Sequence, residues 1–227
     1  MRRIAISDIH GCLKTFRRLL EKKVILTKGD ELYLLGDYID RGPDSKGVID
    51  YIMNLRKQGF SVKCLLGNHE EMLLKSMYMR DWEQTWLYNG GEETLESFGV
   101  KNVSDIPDLY INFIEELSHY HLVDKFILVH AGLSFKKGDP FRDKDSMLWA
   151  RRWYHTLDYS WLASRIIIHG HTTLEKTAIQ KMRENLNQLP ILNIDAGCYK
   201  VLSIDKGQLC AYDMTDNKLY FQRNIDF

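Results

Sequence analysis

Hydrophobic and polar positions in the first half of the chain follow one repeating order: a short apolar run, a polar tip, then apolar residues at helical spacing. Residues 3–7 (Arg-Ile-Ala-Ile-Ser) read as a strand tipped by Asp8-Ile9-His10-Gly11, after which Leu13, Phe16, Leu19 and Leu20 fall on one helical face. Residues 31–35 form the second run, tipped by Gly36-Asp37-Tyr38-Ile39-Asp40-Arg41-Gly42-Pro43, and Val48, Ile49, Ile52, Met53 and Leu55 mark the helix that follows. Residues 61–66 form the third, ending in Gly67-Asn68-His69-Glu70-Glu71. Strands alternating with helices of this length predict βαβ crossovers and parallel pairing.

From Glu70 to about Ser118 the pattern is mostly helical, carried by Met72, Leu73, Met77, Met79, Trp82, Trp86, Leu109, Ile111, Phe113, Ile114 and Leu117. It predicts a helical insertion at about 70–118 beside the sheet, with the methionines and aromatics as core. Strand signals return at residues 121–123 and 125–129, the latter ending in His130-Ala131-Gly132, and at 165–168, ending in His169-Gly170-His171-Thr172. Residues 191–195, 201–204, 208–212 and 218–221 are spaced like hairpin strands, with Gly207 and Asp216-Asn217 as turns. The expected fold is α/β (α+β) in a single domain over 1–227: two packed sheets flanked by helices, parallel units first and an antiparallel meander last.

Composition narrows the function classes. Lys+Arg and Asp+Glu both count 31, so the formal net charge is zero. A partner held by bulk positive field, whether nucleic acid or an anionic membrane, is not expected. No apolar run approaches the eighteen or so residues of a membrane helix. A cleaved leader is not expected either, because its removal would take Asp8 and His10 with it. Cys12, Cys64, Cys198 and Cys210 are scattered, with no C-x-x-C pair, which reads as reduced thiols in a cytoplasmic protein.

The polar tips carry the candidate chemistry: Asp8 and His10; Asp37, Asp40 and Arg41; Asn68 and His69; His130; His171. Each has an ordinary reading of its own. Asp8 suits a helix cap, Asn68 with Glu71 has capping-box spacing, Asp40-Arg41 suits a surface ion pair, and His130 and His171 suit satisfied core histidines. Their recurrence at the carboxyl ends of five predicted strands favours a shared site, since open α/β sheets place ligands there. Carboxylate and imidazole donors without thiolate suit two manganese, iron or zinc ions. Such a pair holds a hydroxide and clamps a phosphoryl group, with Asp37 as the natural bridge and the Arg41 fork on phosphate oxygens.

Asp8-x-His10, Gly36-Asp37-x-x-Asp40-Arg41-Gly42, Gly67-Asn68-His69-Glu70, His130-Ala131-Gly132 and Gly170-His171-Thr172 together resemble the ordered motifs of the calcineurin-like metallophosphoesterases. Asn193-Ile194-Asp195-Ala196-Gly197 resembles a later family segment. The Asp-Arg-Gly and Gly-Asn-His-Glu pair is similar to the phosphoprotein phosphatase branch, including compact bacterial and phage serine/threonine phosphatases. The resemblance implies a β-sandwich flanked by helices with a dimetal site at the carboxyl ends of the strands. It implies that Asp8, His10 and Asp37 bind one metal and that Asn68, His130 and His171 join Asp37 on the other, with two divalent ions, manganese first and iron or zinc as alternatives. His69, oriented by Asp40, is implied as the general acid, and Arg41 with Arg151 as phosphate binders, although Arg152 adjoins Arg151 and spacing leaves the register open. His169 stays outside this set; His119, His121 and His155 read as ordinary. The implied substrate is a phosphorylated protein or peptide, or a small phosphoester. The main reading is a serine/threonine phosphatase, the alternative a symmetrical dinucleoside tetraphosphate hydrolase, and the non-enzymatic alternative a phosphate-binding metal scaffold.

Overall fold

Alternation along the strands decides which layer each side chain joins. In the computed structural model, which describes residues 1–136 and 138–227, strand β1 (Arg3–Ile6) sends Ile4 and Ile6 toward helices and Ala5 toward a second sheet, as a period of two requires. It pairs in parallel with β2 (Glu31–Leu34), and β2 in parallel with β3 (Ser61–Cys64). Helix α1 (Leu13–Arg18), continued by a π-helical turn over Leu19–Val24, and α2 (Ser45–Lys57) make the crossovers. Asp44 caps α2 by accepting the Gly47 N–H at 2.8 Å.

Helices α3 (Asn68–Ser76), α4 (Arg80–Trp86), α5 (Glu92–Phe98) and α6 (Asp108–Glu115) follow β3. Met72, Leu73, Trp86 and Phe113 join the core under Ile4 and Ile6. Met79, expected inside, is exposed, and so is Leu109. Met79 stands at the break between α3 and α4, and Leu109 lies opposite the buried Tyr110, Ile111, Phe113 and Ile114 face of α6.

The second sheet opens with antiparallel β4 (Tyr120–Val123) and β5 (Phe126–Val129), then adds β6 (Ile166–His169) and β7 (Ile191–Asn193) in parallel. Helices α7 (Lys144–Trp149) and α8 (Tyr159–Leu162) lie between β5 and β6, and α9 (Lys176–Glu184) between β6 and β7. Leu128, Ile168 and Leu192 meet Ala5, Tyr33 and Tyr212 between the sheets, whereas Ile127, Val129, Ile167 and Ile191 pack outward on Leu133, Met147 and Leu162. Strands β8 (Gln208–Asp213) and β9 (Lys218–Arg223) return to the first sheet, giving the order β3-β2-β1-β8-β9 against β4-β5-β6-β7. No helix among the described residues is long and apolar enough to cross a membrane. The four cysteines are buried free thiols.

The closing antiparallel meander is smaller than its spacing predicts. Residues 191–193, expected as the first strand of that meander, pair in parallel with β6 instead, the α9 helix making the crossover. Residues 201–204 form turns, not a strand. The Gly207 N–H bonds the Gly197 carbonyl at 3.0 Å, which ties the two ends of this segment into one surface loop and leaves Leu202 99% exposed at its tip.

At the end of the first sheet where β1 and β2 begin, Asp30 accepts hydrogen bonds from Arg2 Nε (3.0 Å) and Nη2 (2.7 Å), the Thr27 N–H (2.8 Å) and Thr27 Oγ1 (2.9 Å). The bonded Arg2 guanidinium holds this carboxyl well below the usual carboxylate range. A depressed folded-state pKa adds stability above the unfolded value of about 3.9 and loses it as pH falls. Asp30→Ala is expected to cost about 1.5–3 kcal/mol at pH 7, and less at pH 3. Urea unfolding at both pH values measures this; an equal difference at each would exclude the ionised carboxylate as its source.

Candidate active site

The carboxyl ends of β1, β2, β3, β5 and β6 meet at one end of the sandwich. Their tips bring together Asp8, His10, Asp37, Asp40, Asn68, His69, His130 and His171, none more than 8% exposed. The first six come from one sheet and the two last histidines from the other, so the site spans the seam between sheets.

Packing so many polar groups into one seam requires unusual backbone. His10, Asp37, Asp40, Arg41 and His171 all take left-handed φ values between 47° and 72°, a region non-glycine residues enter rarely and at an energetic cost. Hydrogen bonds hold them there. The Asp37 carbonyl accepts from the Ile9 and His10 N–H groups at 2.9 Å each, locking the first tip onto the second. Glu70 accepts from Asp37 N (2.8 Å), Tyr38 N (2.7 Å), Ile39 N (3.3 Å) and Gly67 N (3.0 Å). These four donors fill the lone pairs of an ionised carboxylate. Burial, with the charge of Asp37, pushes the Glu70 pKa up to about 8, but the four donors favour the anion, and we read Glu70 as charged. Gly67 is required where it stands, since a Cβ there would lie 2.2 Å from Asp37 Oδ1.

The donor set fits metal ions. His10 Nδ1 lies 2.9 Å from the Ile39 carbonyl and His130 Nδ1 2.9 Å from the Leu35 carbonyl, contacts that assign the protons to Nδ1 and turn the Nε2 lone pairs inward. Burial lowers the pKa of His10, His130 and His171, so all three stay neutral and able to ligate. Burial works against ionisation of Asp37, yet His69, the one neighbouring imidazole whose own pKa is raised, favours the anion and holds its pKa low. Its Oδ1 faces His130 Nε2 at 3.5 Å and its Oδ2 faces His10 Nε2 at 3.6 Å. Asn68 Oδ1 stands 2.9 Å from His130 Nε2 and 2.8 Å from His171 Nδ1. With the His130 proton on Nδ1, two acceptors face each other there, an arrangement a cation resolves. Neighbouring ligands at 2.0–2.2 Å from one ion stand about 3 Å apart, which these separations match.

Asp8 is oriented differently: its carboxylate accepts the His171 N–H at 3.0 and 3.2 Å, which clips the two sheets together. Burial first, then Asp195 and Asp37, raises its pKa well above the ordinary range. Among the described residues, the groups close enough to hold an ion by distance alone are His10, Asp37 and His69, and Asp37, His130 and His171, all within 4.8 Å inside each group.

His69 Nδ1 lies 2.6 Å from Asp40 Oδ2. Burial would lower its pKa, but Asp37 and the bond to Asp40 outweigh burial and raise it. Trp86 Nε1 at 3.0 Å and Thr94 Oγ1 at 2.7 Å donate to the same Asp40 carboxylate, which is wholly buried. Arg41 Nη1 contacts His10 Nε2 at 2.8 Å, and its guanidinium stacks 4.5 Å above the Tyr199 ring. Of the two adjacent arginines, it is Arg151 whose charge reaches His130 and His171, adding to the effect of burial. His169 lies outside the cluster, with Nε2 2.7 Å from the Tyr154 hydroxyl.

Two bland readings fail here. Cys12, not Asp8, holds the cap position of α1, and Glu70, not Glu71, reaches back to the start of α3. Trp86, Thr94 and Tyr199 are site supports that spacing does not reveal. Asp195 had a signal, since it lies in the segment of residues 193–197: it is buried, its Oδ2 has no hydrogen-bond partner among the described residues, and burial with the charge of Asp37 pushes its pKa up to about 6.

The comparisons with known proteins agree with this geometry. A stretch of 135 residues is 37% identical to the symmetrical bis(5'-nucleosyl)-tetraphosphatase of Buchnera aphidicola subsp. Schizaphis graminum, covering 58% of this chain and 44% of that protein. The protein of the same name from Pseudomonas syringae pv. syringae is 32% identical over 132 residues, 57% of this chain and 41% of that one. The matched stretch is thus less than half of each curated relative. Among solved structures, a putative diadenosine tetraphosphatase superposes with a TM-score of 0.65 at 19% identity, covering 100% of this chain and 95% of that one. A Saccharomyces cerevisiae protein serine/threonine phosphatase superposes with a TM-score of 0.66 at 14% identity, covering 100% and 81%; at such identities these likenesses show the fold alone. The family model for calcineurin-like phosphoesterases matches residues 1–203, and with the motif residues gathered at one end of the sandwich, this chain belongs to that family.

Proposed function

We propose that the chain hydrolyses phosphoesters at a two-metal centre in which Asp8, His10 and Asp37 hold one ion and Asp37, Asn68, His130 and His171 the other. The supporting observation is Asp37 itself, whose two oxygens face histidines from different strand tips at 3.5 and 3.6 Å. Bound divalent ions would supply Lewis acidity toward phosphoryl oxygens and a nucleophilic water at neutral pH. Arg41 and Arg151 orient the phosphoryl group and offset its charge. His69, with Nδ1 committed to Asp40, carries its transferable proton on Nε2 and delivers it to the leaving oxygen. Removal of metal by chelation should abolish turnover, and added Mn²⁺ should restore it. Turnover persisting after verified metal loss would overturn the reading.

Two substrate classes have support. The names of the curated relatives favour symmetrical cleavage of dinucleoside tetraphosphates, ahead of the phosphoprotein reading that the sequence motifs put first. The His69–Asp40 contact at 2.6 Å favours phosphoserine or phosphothreonine, because a serine alkoxide is a strongly basic leaving group and needs a proton, whereas a nucleoside diphosphate leaves without one. Product analysis separates them: diadenosine tetraphosphate would give ADP alone, and a phosphoserine peptide would give phosphate. The substrate with the higher kcat/KM names the class.

Arg41→Ala is expected to remove about 2–4 kcal/mol of transition-state stabilisation, the range for loss of a preorganised donor. Metal content should be unchanged. Elemental analysis alongside kcat/KM checks both, and metal loss would make Arg41 a support of His10.

A further inference from the structure

A cavity of about 180 Å³ has Arg151, one of the two proposed phosphate-binding arginines, in its lining. Its floor is Trp153, whose Nε1 donates to the Ala131 carbonyl at 3.1 Å, so the cavity is anchored one residue beyond His130. Lys136, Arg151, Arg152 and His155 line it with the Ser134 hydroxyl, and no carboxylate does among the described residues; the Ser146 hydroxyl at its edge donates to Asp143 Oδ2 at 2.9 Å. Among the described residues, Lys136, Arg151 and Arg152 have no ion-pair partner. Unpaired cations crowded around one hollow repel one another, and a bound anion removes that repulsion. Arg152 also takes a left-handed φ of 54°, strain of the kind that collects at ligand sites.

The geometry points to a second anion subsite here, which takes a phosphoryl group neighbouring the one being hydrolysed. Arg151 is shared: it lines the cavity, and its charge also reaches His130 and His171. A volume of about 180 Å³ is small against the roughly 300–1,000 Å³ of pockets for drug-sized ligands, so a nucleoside does not fit while a phosphoryl group does. Two guanidinium forks and an ammonium in one hollow offer more charge-assisted donors than a single side-chain carboxylate can use. The ligand class is therefore an oligophosphate, not an acidic peptide. The inference rests on the hydrolase reading only in placing the reacting phosphate between Arg41 and Arg151.

The test uses the full chain loaded with Mn²⁺ and inhibition of p-nitrophenyl phosphate turnover by tripolyphosphate and by orthophosphate. Lys136→Ala and Arg152→Gly remove charge outside the proposed machinery, and glycine suits the left-handed backbone at 152, so both variants should fold. Each should weaken tripolyphosphate about tenfold or more, with orthophosphate inhibition and uninhibited kcat unchanged. Metal chelation by tripolyphosphate is common to all forms and cancels in the comparison. Unchanged tripolyphosphate inhibition in both variants overturns the subsite, as does equal weakening of both inhibitors. A rise in KM confined to an acidic phosphopeptide would overturn the oligophosphate assignment in favour of carboxylates. Calorimetric binding of tripolyphosphate to the same proteins keeps the two proposals separable: charge-dependent binding without turnover sinks the hydrolase reading and leaves the subsite standing.

Discussion

His69→Asn is expected to slow hydrolysis of a phosphoserine peptide by about 10²–10⁴-fold, and to slow a nitrophenyl ester distinctly less. Help from a general acid scales with the basicity of the leaving oxygen, and nitrophenolate leaves readily without a proton. The contact of His69 Nδ1 with Asp40 at 2.6 Å fixes the ring and leaves Nε2 as the donor. Asp40→Asn should give a smaller defect with the same substrate order, because the carboxylate only orients and stabilises the imidazolium. A competing role is written in the same geometry, since His69 Nε2 also stands 3.9 Å from Asp37 Oδ2 and shares a potential ion-holding group with His10. The experiment is kcat for both esters in both variants, with metal content measured. Equal losses on the two esters, or loss of metal from His69→Asn, would make His69 a ligand and not an acid.

Asp37→Asn should lose both ions together and bring activity to the detection limit. One carboxylate faces both histidine groups, and an amide can present its single oxygen to only one of them. The fold should survive, since the apolar layers above and below the sheets do not depend on this side chain; circular dichroism checks this. Elemental analysis decides the assignment: if the variant keeps one ion at full occupancy, Asp37 is not the bridge.

Much of this architecture is legible without coordinates, and for a local reason. A strand's period of two and a helix's 3.6 are properties of neighbouring residues, so residues 3–7, 31–35, 61–66, 125–129 and 165–168 declare themselves. Polar residues that interrupt an apolar run at its carboxyl end have nowhere to go but the sheet's rim. That reasoning marked Asp8, His10, Asp37, Asp40, Arg41, Asn68, His69, His130 and His171 as one cluster of tips, and the carboxyl ends that carry them meet at one end of the sandwich; the division into metal ligands, acid and phosphate binders came from the family resemblance.

Pairing across long separations is what the chain order could not express. Residues 191–193 look like a hairpin strand because their own pattern does not say whether a turn or the helix α9 precedes them in space; the register with β6 decides it. Residues 201–204 are strand-like in composition, yet the bond from Gly207 to Gly197 closes them into a loop. The supports of the site are equally remote. Trp86 and Thr94 reach Asp40 from 46 and 54 residues away, and Glu70 gathers the backbone of residues 37–39 from a different strand tip. Sequence pattern determined which side chains stand at the rim, because that depends on alternation along one segment. Only tertiary structure decided how they are held, because buried charges and left-handed backbone are tolerated only where donors from distant segments converge on them.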